Sequence, residues 1–282
     1  MGFQPFSVAM SVYKNDKSDF IDRALQSITE QQTIIPNEIV LIEDGPVSDE
    51  IDAVIDKYSK LYPIFNVIRL QKNGGLGNAL KLAVENAKYD LVARMDSDDV
   101  AVKDRFEQQL KIFEDNPDLG ILGGNISEFI DKEDNIVAYR NVPHSDGEIK
   151  KYLKKRCPFN HMTVMFNKND VIKAGNYQDF FWNEDYYLWI RMVEHGAIMM
   201  NAKMVLVNVR VGKDMYKRRG GWKYYKSEAK LQKYMLKHKI INFPTYLSNK
   251  TKRFIVQVLM PNNLRGWVFK KFARGKVNEE KV

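Results

Sequence analysis

Residues 89–99 read YDLVARMDSDD, an apolar strand that runs straight into three carboxylates, Asp96, Asp98 and Asp99. Side chains alternate along a strand, so the D-x-D pair Asp96 and Asp98 leaves its end on the same side. Carboxylates packed this closely repel one another and raise one another's pKa. Water relieves such a cluster, and so does a cation. A solvated turn, with one Asp capping the helix that carries Arg105 and Phe106, accounts for one of the three acids but not for all. Hard oxygen donors in this arrangement suit Mg²⁺ or Mn²⁺, which take carboxylates together with phosphate oxygens.

Outward from this stretch the chain alternates apolar strands with amphipathic helices. FSVAMSVY (6–13), NEIVLIEDG (37–45) and FNVIRL (65–70) read as strands. Helical patterns begin near Ser18, run through Ile51, Val54, Ile55, Tyr58 and Leu61, and fill 77–87. Such alternation predicts an α/β fold whose parallel sheet is covered on both faces and connected by right-handed crossovers. Ligands of these sheets sit at the carboxyl ends of the strands, where Ser11 to Tyr13, Glu43 to Gly45 and Asp96 to Asp99 fall. KNGGLGNA (72–79) is a Gly-rich turn into a helix, suited to close approach by a nucleotide or simply to turning the chain. From about residue 118 the rhythm changes. LGILGGNISEFIDKEDNIVAY (119–139) predicts strands with a hairpin at Lys132 to Asn135, and HMTVMF (161–166) another strand. KNDVIKAG (168–175) is a short helix closed by Gly175, and NEDYYLWIRMVEHG (183–196) a longer one.

The chain has 282 residues, enough for one large domain or one domain with an appendage. Its single cysteine, Cys157, excludes an internal disulfide framework and suits a reducing compartment. The first residues lack a basic leader region, and FIVQVLM (254–260) is too short to span a bilayer, so a cytoplasmic or peripheral membrane location is expected. The net charge of +8 is unevenly distributed: residues 213–282 hold 19 Lys and Arg against 4 Asp and Glu. A boundary near Gly212 is therefore expected, followed by a basic segment for an anionic partner. Its interleaved aromatics suit an anionic membrane surface. A nucleic-acid-binding protein would also use such a segment, but that leaves the acids unexplained. A sugar-nucleotide pyrophosphorylase would want a Gly-rich loop with Lys or Arg after the first strand, where SVYKND stands instead.

SVYKND (11–16), EIVLIEDGP (38–46), NGGLGNAL (73–80), ARMDSDD (93–99), NHMTVMF (160–166) and NEDYYLW (183–189), in this order and spacing, resemble family 2 glycosyltransferases of the GT-A fold. The likeness is to bacterial enzymes of capsule, exopolysaccharide and O-antigen assembly, of the amylovoran type. It covers residues 5 to about 212 and extends into DMYKRRGGWKYYKSE (214–228). It implies a catalytic domain over 1–212, with 1–100 the nucleotide-binding half and 101–212 the acceptor-binding half. Residues 213–282 would be a basic helical segment for membrane and acceptor association.

The implied reaction is inverting transfer of a hexose from a UDP-sugar to a polyprenyl-diphosphate-linked glycan. UDP-galactose is the expected donor, with UDP-N-acetylglucosamine or UDP-N-acetylgalactosamine as the alternative, and Mn²⁺ or Mg²⁺ the cofactor. Asp98 and Asp96 would hold the metal. Ser11, Tyr13, Glu43, Asp44, Asn73, Gly74, Gly75, Asn78, Arg94, Asp96 and Ser97 would bind the nucleotide and donor. Asp185 would be the general base, with Glu184 beside it; without the resemblance the pair reads as the acidic first turn of a helix. His161, Trp182, Lys217, Arg218 and Arg219 would meet the acceptor or its diphosphate, although a lone histidine such as His161 more often serves structure. Trp189 has helical spacing with Tyr186 and Val193 and reads as core, and Cys157 as inert.

Overall fold

The computed structural model describes residues 2–212, 220–261 and 264–265. In chain order they form β1 (Phe6–Val12), α1 (Ser18–Ile28), β2 (Glu38–Glu43), α2 (Asp49–Leu61), β3 (Phe65–Arg69), α3 (Leu76–Asn86) and β4 (Leu91–Met95). Then follow β5 (Val100–Ala101), α4 (Arg105–Asp115), β6 (Leu119–Phe129), β7 (Ile136–Arg140), α5 (Asp146–Leu153), β8 (Met165–Asn167), α6 (Lys168–Lys173) and α7 (Glu184–Glu194). The described part closes with β9 (Ile198–Arg210), α8 (Trp222–Lys237) and α9 (Phe243–Phe254), which runs on into a π-helical turn at Ile255–Leu259.

One sheet takes the order β3-β2-β1-β4-β8-β6-β9-β5, and β7 pairs with β6. The first four strands are parallel, as the strand–helix alternation predicts. β8 then runs antiparallel to both β4 and β6, whereas β6 and β9 are parallel to each other. Alternation along β1 divides the core. Val8 and Met10 join Ile21 and Leu25 of α1, Ile55 of α2 and Phe106 of α4 on one face. Ala9 joins Leu80 of α3, Leu188 and Trp189 of α7, and Leu231 and Met235 of α8 on the other. Trp189 is thus core, as its spacing predicts.

Two local readings need correction. HMTVMF is strand only from Met165; His161–Thr163 is a 3₁₀ turn. The Asn160 amide donates to the Gly124 carbonyl at 2.8 Å and Thr163 Oγ1 accepts from the Gly124 N–H at 3.0 Å, so side chains replace a ladder there. Nor does the DSDD turn cap the next helix, because β5 intervenes and Asp104 is the residue before α4.

α8 and α9 are part of the same packed body. Glu228 pairs with Arg253 across them, and Asn249 donates to Gln232 Oε1 and to the Lys154 carbonyl, both at 2.8 Å. Ser227 of α8 donates to the Phe181 carbonyl at 2.6 Å and accepts from the Asn183 amide at 3.0 Å, which ties down the loop ahead of α7. No helix of the described residues is long and apolar enough to cross a membrane.

At Gly123 of β6 there is no room for a side chain. A Cβ on Gly123 would lie 2.3 Å from Asn201 Oδ1 and 2.7 Å from the Phe159 ring. Gly123→Ala is therefore expected to lower stability by about 1–3 kcal/mol, the cost of overpacking. Urea unfolding should show it as a lower midpoint at unchanged slope.

Candidate active site

The carboxyl edge of β4 delivers the acid cluster. Carboxylate oxygens of Asp96, Asp98 and Asp99 lie within 4.8 Å of one another. Their environments differ. Asp99 is buried, and its Oδ1 accepts the Arg210 backbone N–H at 2.9 Å; burial, followed by the charges of Asp96 and Asp98, lifts its pKa well above the usual carboxylate range. Asp98 has an exposed outer side, yet partial burial of its carboxyl and the charges of Asp96 and Asp16 push its pKa up to about 6. Asp96 pairs with Nη2 of Arg94. A set of hard oxygens crowded within 4.8 Å fits a divalent cation, for which Asp96 and Asp98 would be the donors, Asp99 being engaged by the Arg210 backbone.

Side chains from distant elements hold this turn. Ser97 Oγ donates to Asp16 Oδ2 at 2.9 Å, and the same oxygen accepts the Tyr13 N–H at 3.1 Å, so Asp16 links the β1 loop to the cluster. Arg210 of β9 donates from Nε to the Asp98 carbonyl at 3.2 Å, its guanidinium 3.9 Å from the centre of the Phe20 ring. Arg105 is fully buried and donates to the Arg94 carbonyl at 2.7 Å.

Two strands away, about 10 Å along the sheet, Asp44 organises the Gly-rich loop. Its Oδ1 accepts the Gly74 N–H at 2.6 Å, and its Oδ2 accepts the Gly75 N–H and the Asn73 amide, both at 2.9 Å. One lone pair of Oδ1 remains for a ligand. Gly75 has φ +86°, and the next residue starts α3. Gly74 approaches Asn78 so closely that a Cβ there would lie 2.6 Å from Nδ2. Ser11, half-buried, and Tyr13, 40% exposed, line the edge between Asp44 and Asp96. Glu43 does not join them: it lies 2.9 Å from Nε of Arg69, which also pairs with Asp52 and Asp56. The alternation that turns Asp44 to the loop turns Glu43 to that ion cluster.

Glu184 and Asp185 open α7. A Cβ on Gly77 would be 3.4 Å from Cβ of Glu184, so the first turn of α3 abuts them. Burial, then the charge of Asp185, raises the Glu184 pKa to about 7. Burial raises Asp185 also, against the Tyr186 N–H at 2.6 Å and the Cys157 thiol, which donates to Oδ2 at 3.6 Å. Burial and Asp185 lift the Cys157 pKa in turn, which keeps the thiol protonated, as the reading of it as inert expects. His161 Nε2 lies 2.9 Å from Tyr177 Oη, and burial and Arg94 keep its ring neutral. Trp182 is 50% exposed, with φ +54° and its ring 4.6 Å from that of Phe181. Lys217, Arg218 and Arg219 lie outside the described residues.

Arg94 connects these parts, for its charge acts on Asp98, Asp99, His161, Glu184 and Asp185 alike. Asp16, Arg105, Tyr177 and Arg210 are the residues that sequence reading passed over. For Arg105 a signal existed: with Phe106, Gln109, Leu110 and Phe113 it shares the buried stripe of α4, where a charge is out of place. Arg210 has no local signal.

The description "Glycosyl transferase family 2" matches residues 7–175. The amylovoran biosynthesis glycosyltransferase AmsE of Erwinia amylovora is 37% identical over 96% of this chain and 100% of its own length. An Escherichia coli UDP-Gal:alpha-D-GlcNAc-diphosphoundecaprenol beta-1,3-galactosyltransferase is 38% identical over 95% of this chain and 96% of its own. Among solved structures, S. aureus TarS 1–349 in complex with UDP-GlcNAc superposes with a TM-score of 0.66 at 16% identity, covering 89% of this chain and 72% of that one. The sheet order, the acids at its carboxyl edge and these likenesses agree: the chain is a glycosyltransferase of the GT-A fold and belongs to glycosyl transferase family 2.

Proposed function

We propose that this glycosyltransferase acts in bacterial surface-polysaccharide assembly, moving galactose from UDP-galactose to a polyprenyl-diphosphate-linked glycan with inversion. UDP-N-acetylglucosamine and UDP-N-acetylgalactosamine are the alternative donors. The observation that carries this reading is the convergence of two acidic groups, 85 or more residues apart in the chain, within reach of one buried arginine. Transfer needs one acid group at the leaving diphosphate and another at the acceptor hydroxyl. The relatives named above support the donor and the lipid-linked acceptor.

On the donor side, Asp44 and the loop it holds, Asn73 to Gly75 with Asn78, receive the nucleotide along the edge formed by Ser11 and Tyr13. Ser97 and Asp16 keep that edge joined to Asp96 and Asp98, the residues for Mn²⁺ or Mg²⁺. Such an ion, when bound, offsets charge on the departing diphosphate as a Lewis acid. Glu43 is left with a supporting role through Arg69. On the acceptor side, the acceptor oxygen attacks the anomeric carbon as the bond to the diphosphate breaks, and Asp185 takes the hydroxyl proton. The N–H and S–H groups on Asp185 favour its carboxylate, so Glu184 keeps the shared proton and Asp185 is the base. Trp182 offers an exposed ring face for an acceptor sugar, while neutral His161 stands against Tyr177.

In this reading residues 1–212 are the catalytic domain, 1–100 for the nucleotide and 101–212 for the acceptor. Residues 213–282 serve association with the acceptor and with an anionic membrane on its cytoplasmic side, Lys217, Arg218 and Arg219 meeting the lipid diphosphate. Two surfaces support the membrane contact. Lys223, Lys226, Lys230, Lys233 and Lys237 are exposed at helical spacing on α8, away from its buried Leu231 and Met235. Phe243, Leu247, Ile255 and Leu259 are exposed along α9 and the turn that follows it.

The deciding experiment is calorimetric titration with UDP, with and without Mn²⁺. UDP binding that requires the metal and is lost in Asp98→Asn is expected; equal binding by the variant, or none by the wild type, sinks the reading. Asp185→Asn should keep UDP affinity while kcat falls by about 10²–10⁴, the usual worth of a general base. The base works ionised, so the rate should fall on the acid side as Asp185 takes the pair's second proton, at a pH above the ordinary carboxylate range because burial raises its pKa. A rate that stays level down to the ordinary Asp value, about pH 4, would contradict this. Vesicles with anionic lipid should sediment the protein and neutral ones should not. Changing Lys226, Lys230 and Lys233 to Glu should weaken that binding at about 1 kcal/mol or more per residue.

A further inference from the structure

Arg94 does more in this site than neutralise an acid. It precedes Asp96 by two positions on β4, so both side chains leave the same face of the strand. Only 2% of it is exposed. Its Nη2 is committed to Asp96, while Nε and Nη1 are buried without a hydrogen-bond partner. Arginine frequently engages a carboxylate with two nitrogens, Nη2 together with Nε or Nη1. Here one nitrogen serves Asp96 and two N–H-bearing atoms are left unmet, which is costly in the interior unless a ligand meets them.

The surroundings say which ligand. The charge of Arg94 reaches Asp98 and Asp99 at the metal cluster, and also Tyr177, His161, Glu184 and Asp185. In sugar transfer the first group faces the leaving diphosphate and the second faces the acceptor hydroxyl. What lies between a leaving group and an attacking hydroxyl is the sugar in transit. We propose that Arg94 reads the transferred hexose, donating from Nε and Nη1 to hydroxyl oxygens of the donor sugar while Nη2 stays on Asp96. This rests on the sugar-transfer reading above and assigns to one residue the recognition of the sugar apart from its nucleotide. A donor that lacks a contacted hydroxyl leaves a buried N–H unmet, which is how such a site rejects it.

The test separates sugar from nucleotide. In the presence of Mn²⁺, affinities for UDP and UDP-galactose are measured for the wild type, Arg94→Lys and Arg94→Met. Lysine can keep the pairing with Asp96 but has no counterpart to Nε and Nη1. For Arg94→Lys, UDP affinity is expected to stay within about threefold of wild type, which also reports a folded site. The extra affinity that the galactosyl group confers should fall by about tenfold or more, as for lost charge-assisted hydrogen bonds. On the wild type, UDP-deoxygalactoses missing single hydroxyls should include at least one bound about tenfold more weakly, a loss that disappears in Arg94→Lys.

A loss of UDP affinity as large as that for UDP-galactose would put the guanidinium on the diphosphate or on the hold of Asp96 over the metal, and would overturn the assignment. So would a wild type indifferent to every missing hydroxyl, a result that needs no variant to fold. A wild type that binds no UDP at all would instead overturn the reading on which the assignment rests.

Discussion

The structure depends on making a crowd of carboxylates tolerable at one edge of a sheet. Asp96, Asp98 and Asp99 leave β4 within 4.8 Å of one another, and Glu184 and Asp185 begin α7 within reach of the same buried charge. Arg94 supplies that charge from inside the sheet, and Arg105 fixes its backbone through the Arg94 carbonyl. Two arginines this deeply buried are expensive, and the carboxylates nearby offset part of that cost. Even so, burial keeps Asp98, Asp99, Glu184 and Asp185 raised above their ordinary range, a state that a bound cation would relieve at the first pair.

Around that constraint the elements divide the work. The parallel half, β3-β2-β1-β4, brings the loops after β1, β2 and β4 to a common edge. Asp16 then ties the β1 and β4 loops together, and Asp44 ties the β2 loop to the residues that lead into α3. The second half closes the sheet with antiparallel β8 and the long pair β6 and β9, which carries Arg210 back to the acid turn. Helix α8 reaches the loop that ends in Trp182 and Asn183 through Ser227 and Tyr224. A bulky residue at positive φ, as Trp182 is, stays there only when its surroundings overrule its preference. Phe181, Tyr224 and the Ser227 contact are those surroundings.

Much of this was legible in the chain. Period-two and helical patterns placed β1 to β4 and α1 to α3 within a residue or two, and α7 began where NEDYYLW said it would. The three acids after an apolar strand marked a candidate site, because no turn needs three, and the fold brings their carboxylates within 4.8 Å. The 3₁₀ turn at His161 was not legible, since HMTVMF alternates well enough for a strand, and only the carbonyl and N–H of Gly124 show why the backbone turns there. Glu43 and Asp44 are neighbours of like charge, and nothing local tells that one shapes the Gly-rich loop while the other pairs with Arg69.

By itself, then, the sequence determined the kinds and order of the elements and the residue types at their ends, because periodicity and turn chemistry act over a few residues. The tertiary structure decided which ends meet. It set Glu184 and Asp185 within reach of the charge of Arg94, Arg210 over the acid turn, and β8 antiparallel between two parallel strands. Such pairings join residues far apart in the chain, and their energy comes from burial and charge in a shared interior, which no short stretch contains.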